Sequence, residues 1–170
     1  MSYISIIASD SPIDEVKNPH IEYYSINEAI EKGVSLPNFV NESNDMNRDK
    51  PGTVLWADNR ENLGELSIKH IDKKNYVYYT QYTASSKQHF SYLSWVYTKE
   101  RAFSLIEHIR KHLEKTNEME IWHIYVGSEK NRSLPRKCTI HLDELIPDCF
   151  ENLFVNRHID CISVCAESSR

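Results

Sequence analysis

Glycine is scarce in this chain: four residues in 170, Gly33, Gly52, Gly64 and Gly127, no two of them clustered. That excludes the glycine-rich loops that cradle phosphates, both the Walker type and the dinucleotide fingerprint, and with them most nucleotide-driven enzymology. Cysteine is equally sparse. Cys138, Cys149, Cys161 and Cys165 include no Cys-x-x-Cys pair, so the usual zinc and redox signatures are missing. Cys161 and Cys165, four apart in an expected strand, share a face and read as reduced core thiols, with a disulfide or metal site as the alternative. No apolar run approaches the roughly 20 residues that a membrane-spanning helix needs. The start, Met1 to Ala8, carries no basic segment, and Asp10 interrupts its apolar run too early for a secretory signal. These absences predict a cytoplasmic protein with no cofactor and no bound metal.

What is present is aromatic and acidic. Eight of the eighteen aromatic residues fall between Tyr76 and Tyr97: Tyr76, Tyr78, Tyr79, Tyr82, Phe90, Tyr92, Trp95 and Tyr97. The net charge of −5 is unevenly placed. Residues 1–49 hold nine acids against three bases, whereas residues 76–170 carry twelve of each. A chain so acidic at one end repels phosphates there, which argues against nucleic acid and for a basic protein partner.

The length suggests a single domain, 1–170, able to bury a substantial core. Tyr3 to Ala8 reads as a central strand, nearly all apolar. Ile21 to Tyr24 follows as a short strand. Ser25 and Glu28 form a capping box for a helix that Gly33 ends. Residues 35–52 read as loop, and Thr53 to Ala57 as strand. Three antiparallel strands, Leu66–Ile71, Tyr76–Thr83 and Phe90–Tyr97, are expected as a meander. Lys99 to Lys115 is the clearest helix, with Thr98 as N-cap. Ala102, Leu105, Ile106, Ile109 and Leu113 form its apolar stripe. Strands are expected at Glu120–Val126, Cys138–Leu142 and Asp160–Ala166, with a helix from Pro147 to about Val155. Two or three helices and about eight strands, arriving in runs, predict an α+β fold: a mixed, mostly antiparallel sheet with helices packed on it.

No catalytic constellation stands out. His108 and His112, four apart on one helix, lack the glutamate a zinc-protease helix places after its first histidine, and they read as solvent-edge residues. His123 and His141 sit in expected strands, where either could serve as a general base, without a neighbour whose spacing implies a triad. Cys138 and His141 are three apart, hence on opposite strand faces. Lys130, Arg132, Arg136 and Lys137 form a basic loop that is either solvated or open to RNA or an acidic partner. Glu42, Asp45, Asp49 and Asp58 flank the Arg48–Gly52 turn without the alternating ligand pattern of a calcium loop. The aromatic strands carry only Lys87 as a base, so core packing or a protein-binding face suits them better than base stacking.

The acidic first third, with the Arg48–Gly52 turn leading into Val54-Leu55-Trp56-Ala57-Asp58, resembles the small acidic immunity proteins of bacterial toxin–immunity systems, contact-dependent growth inhibition among them. The resemblance is one of size, charge and style. It implies a non-catalytic cytoplasmic protein that binds a cognate toxin and blocks it. The expected contact set is Asp10, Asp14, Glu15, Glu42, Asp45 and Asp49 for steering, with Tyr78 and Tyr82 as aromatic anchors. The alternative is a small enzyme whose site is assembled from distant histidines and carboxylates.

Overall fold

The computed structural model describes residues 2–42, 45–126 and 134–166. In chain order the strands are β1 (Ser2–Ser9), β2 (Glu22–Tyr24), β3 (Val54–Trp56), β4 (Ser67–His70), β5 (His89–Ser94), β6 (Glu118–Val126), β7 (Lys137–His141) and β8 (Cys161–Cys165). The helices are α1 (Ile26–Glu31), α2 (Asn38–Glu42), α3 (Tyr76–Thr80), α4 (Lys99–Leu113) and α5 (Pro147–Phe154). Contacts group the chain into two compact units, residues 1–17 with 64–170, and residues 18–63. The fold is α+β.

The larger unit is built on a six-stranded sheet in the order β4-β5-β1-β6-β8-β7. Every pair is antiparallel except β7 with β8, which makes the sheet mixed. β1 is central, as its apolar run predicts. Its alternate residues feed two cores. Ile7 faces α4 and α5 with Ile121, Ile162 and Val164 of the sheet and Leu105, Ile109, Phe150 and Leu153 of the helices. Ile6 and Ala8 face the other way, with Phe90, Trp122, Ile124 and Cys161. The stripe of α4 is buried throughout, and Thr98 Oγ1 accepts from the Arg101 amide at 3.2 Å as its cap. Residues 73–75 form a 3₁₀ turn, opened by Asp72 accepting from the Lys74 amide. No helix among the described residues is long and apolar enough to cross a membrane.

One expected strand is a helix. Tyr76–Thr83 was expected to continue a meander, but Tyr76–Thr80 is helical, and β4 pairs directly with β5. The reason lies in the spacing: Tyr76, Tyr79 and Tyr82 recur every third residue and all pack on the second core. A period of three brings side chains onto one face of a helix and scatters them over both faces of a strand. Local context overrode the β propensity of tyrosine. A second difference is α2, which lies inside the segment 35–52 expected to be loop.

The smaller unit holds α1, α2 and a two-stranded ribbon, β2 with β3. The capping box is present: Ser25 Oγ accepts from the Glu28 amide at 3.2 Å, and the Ser25 amide donates to Glu28 Oε2 at 2.6 Å. Gly33 follows the helix with φ of 73°, the left-handed conformation that glycine adopts without strain. Tyr24, Ile26 and Ala29 are its buried apolar side chains.

Candidate binding surfaces

The chemistry-bearing side chains of the larger unit are largely spent on one another. On the α4–α5 side of the sheet, β1 supplies two serines to two histidines. Ser5 Oγ and His123 Nδ1 share a hydrogen bond of 2.9 Å, and Ser9 Oγ and His112 Nε2 one of 2.8 Å. Ser5 and His123 lie directly opposite in the β1–β6 register. His123 also stacks on Tyr3 at 4.9 Å and lies 5.0 Å from Phe154. Burial, reinforced by Arg157, lowers its pKa to about 4, so the ring is neutral at pH 7. His112 was expected at the solvent edge, but it is buried, and desolvation lowers its pKa as well. His108 remains exposed and donates from Nε2 to the Asp14 carbonyl at 2.9 Å.

On the opposite side a polar chain crosses the sheet. Lys87 Nζ donates to Asp10 and to Glu118, each at 2.8 Å. Glu118 also accepts from Ser163 Oγ. Beside it Glu120, almost wholly buried, accepts from Lys137 Nζ at 2.6 Å and from Trp122 Nε1 at 2.9 Å. Burial opposes the charge on Lys87, yet its two carboxylate partners hold the ammonium above the ordinary lysine range. The hydrogen bonds from Lys87 and Ser163 hold Glu118 below the ordinary carboxylate range. Buried charges persist only when paired in this way. Cys161 is buried and its thiol is pushed up by desolvation and by Glu120, the opposite of an activated nucleophile. Among the described residues no three His, Cys, Asp or Glu side chains are placed to hold a metal ion.

The expected contact residues divide between the two units. In the larger one, each acid already has a basic neighbour. Asp10 is bound to Lys87. Asp14 pairs with Lys115 at 3.1 Å, which lowers its pKa. Glu15 Oε1 accepts from the His70 amide at 2.7 Å and lies 3.9 Å from the His70 ring. Tyr78 is half exposed and meets Tyr79 and Tyr82 edge-on, at 4.9 and 5.6 Å. Tyr82 is partly buried on the second core. It also lines a shallow groove of about 290 Å³ with Thr83, Ile124, Leu134 and Asp160. The Thr83 hydroxyl there is buried with no hydrogen-bond partner among the described residues. Of the expected basic loop, Lys130 and Arg132 lie outside the described residues. Arg136 is fixed to Asp160 at 3.2 Å and donates to the Arg157 carbonyl at 2.9 Å.

In the smaller unit the acids are less neutralised. Asp49 accepts from Asn27 Nδ2 at 2.7 Å, and Arg48 Nε donates to Asn27 Oδ1 at 3.3 Å, so α1 holds the Arg48–Gly52 turn. Gly52, at φ of 72°, allows that turn. Glu22 lies 3.8 Å from Lys32. Asp45 is exposed in a bend, and Glu42 ends α2. Glu31, Asp45 and Asp58 are exposed and make no ion pair among the described residues. The register sets Tyr24 with Val54 on one side of the ribbon and Tyr23 with Leu55 on the other; Tyr24 is buried, while Glu22 is exposed and Tyr23 and Leu55 are 63% and 50% exposed. Neither Tyr23 nor Leu55 was singled out from the sequence. Three-residue strands alternate too briefly to show which side faces in.

The fold and these surfaces define an α+β protein with internally paired polar groups and exposed apolar and acidic patches. No protein-family model matches the chain, and no curated protein or solved structure matches it.

Proposed function

We propose that this chain is a binding protein that acts by occupying another protein, of the kind that neutralises a cognate bacterial toxin in the cytoplasm. One observation carries the reading. Among the described residues fourteen large apolar side chains stand exposed, aromatic Tyr23, Phe39, Tyr78 and Phe103 among them, and Glu31, Asp45 and Asp58 make no ion pair. Exposed aromatic side chains are the raw material of a protein interface, and unpaired carboxylates supply charge that steers a basic partner. The size, the acidity and the resemblance to immunity proteins point the same way.

Co-expression tests it. The product of the gene beside this chain's gene is expressed in a bacterial host with and without the chain. Growth arrest that the chain relieves, with a stable complex on size exclusion, supports the reading. Arrest that the chain leaves untouched contradicts it.

The Ser5–His123 hydrogen bond favours the enzyme alternative, since a serine beside a histidine can be activated as a nucleophile. Two facts weigh against it. A histidine whose pKa is near 4 is a poor proton acceptor at pH 7, and its ring is stacked on Tyr3 with Phe154 tilted against it. The enzyme reading requires turnover of a small ester or amide that His123→Ala abolishes without unfolding the chain.

A further inference from the structure

Charge and exposed apolar surface concentrate in the same part of the chain. Residues 18–63 contain eight acids against four bases, so they carry four of the five net negative charges. Among the described residues Glu31, Asp45 and Asp58 make no ion pair; the larger unit also has unpaired acids there, Glu114 and Glu144 among them, but its bases nearly equal its acids in number. The same unit presents six of the fourteen exposed large apolar side chains: Tyr23, Ile30, Phe39, Met46, Leu55 and Leu63. Two of these, Tyr23 and Leu55, are directly opposite in the β2–β3 register. Cross-strand partners share a face, so they form one continuous apolar patch on the ribbon side away from Tyr24.

We propose that the outer face of the β2–β3 ribbon, centred on Tyr23 and Leu55, is the docking surface, and that its occupant is a basic protein segment with apolar side chains between its cations. The proposal rests on the binding-protein reading and adds to it a place and a partner chemistry. Charge complementarity selects the occupant. A net negative unit with unneutralised carboxylates attracts cations over a distance set by ionic strength. The Tyr23–Leu55 patch then offers the dry contact that gives the encounter a lifetime, tyrosine being a frequent anchor of such contacts. In this division of labour the acids set the association rate and the two apolar side chains set the dissociation rate. A second copy of this chain is a poor occupant, because it brings the same negative charge.

The experiment uses the full ¹⁵N-labelled chain and three synthetic peptides of equal length, alternating arginine with leucine, arginine with serine, and glutamate with leucine. The arginine–leucine peptide is expected to shift the amides of β2 and β3 and to bind at least tenfold more tightly than either control. Tyr23→Ser with Leu55→Ser is expected to weaken it roughly tenfold while leaving the arginine–serine peptide unchanged. Glu31→Lys with Asp45→Lys and Asp58→Lys is expected to abolish the preference for the cationic peptide, and it leaves the ribbon's apolar pair intact as an independent check. Shifts confined to α3, or equal binding of both arginine peptides, overturn the proposal. Failure of the surface and failure of the reading are separable in the growth assay. If Tyr23→Ser with Leu55→Ser still protects cells, this surface is wrong and the reading stands. If the unmodified chain does not protect, the reading fails whatever the peptides do.

Discussion

His123 shows how a single residue couples this fold to pH. Its pKa falls from the ordinary 6.5 to about 4 because the folded chain desolvates it. Between those values the unfolded chain takes up a proton that the folded chain refuses, so stability rises with pH across the window and is lost on acidification. Glu118, held below its ordinary range by Lys87 and Ser163, acts in the same direction at lower pH. Thermal unfolding midpoints measured from pH 7 to pH 4 are expected to fall, and His123→Gln is expected to flatten the upper part of that fall. An unchanged slope in the variant contradicts the assignment. Gly64 is a second case. A Cβ there sits 2.9 Å from both Val96 Cβ and Arg101 Nη1, and the Gly64 carbonyl accepts from the Val96 amide. Gly64→Ala is expected to cost roughly 1–3 kcal/mol in chemical denaturation, the usual cost of overpacking. A neutral effect contradicts the close packing of Val96 on Gly64, because Arg101 moving aside leaves the Val96 Cβ contact in place.

At the level of elements, α3 is the most instructive. Its Tyr76 and Tyr79 pack on the second core, and the segment that follows is tied to the sheet by Lys87, whose side chain is only 9% exposed. Removing the lysine strands Glu118 beside Ser163 without its cation. Glu118 and Asp10 are partly exposed, so Lys87→Met is expected to destabilise the chain by roughly 1–2 kcal/mol, between an exposed pair and a buried one. Urea denaturation gives the number, and a loss under 0.5 kcal/mol, the typical scale of an exposed pair, contradicts the clamp. The elements legible in the sequence were those with strong local signals: the apolar stripe of α4, the capping box of α1, Pro147 at the start of α5, and the continuous apolar run of β1. Those that were not legible depended on competition or on distance. The Tyr76–Tyr82 stretch carried both a β-rich composition and a three-residue period, and the period decided. The Ser5–His123 and Ser9–His112 bonds join positions more than one hundred residues apart, so only the register of β1 and the packing of α4 reveal them. The acids of the candidate surface were legible as a charge count. That Lys87 and Lys115 pair with Asp10 and Asp14, and that Glu15 accepts from the His70 amide, was not.

For the whole molecule, charge is unevenly distributed. The larger unit has seventeen acids and sixteen bases and is almost neutral, while residues 18–63 hold the excess. A field arising from one part of a surface steers a basic partner to that part, and steering appears in the association rate. The most direct measurement is stopped-flow association between this chain and the arginine–leucine peptide, at low and high salt, for the unmodified chain and for Glu31→Lys with Asp45→Lys and Asp58→Lys. The account predicts association slowed roughly tenfold at low salt by the three reversals, with most of the salt dependence gone. Equal rates and an equal salt dependence for the two proteins would contradict it.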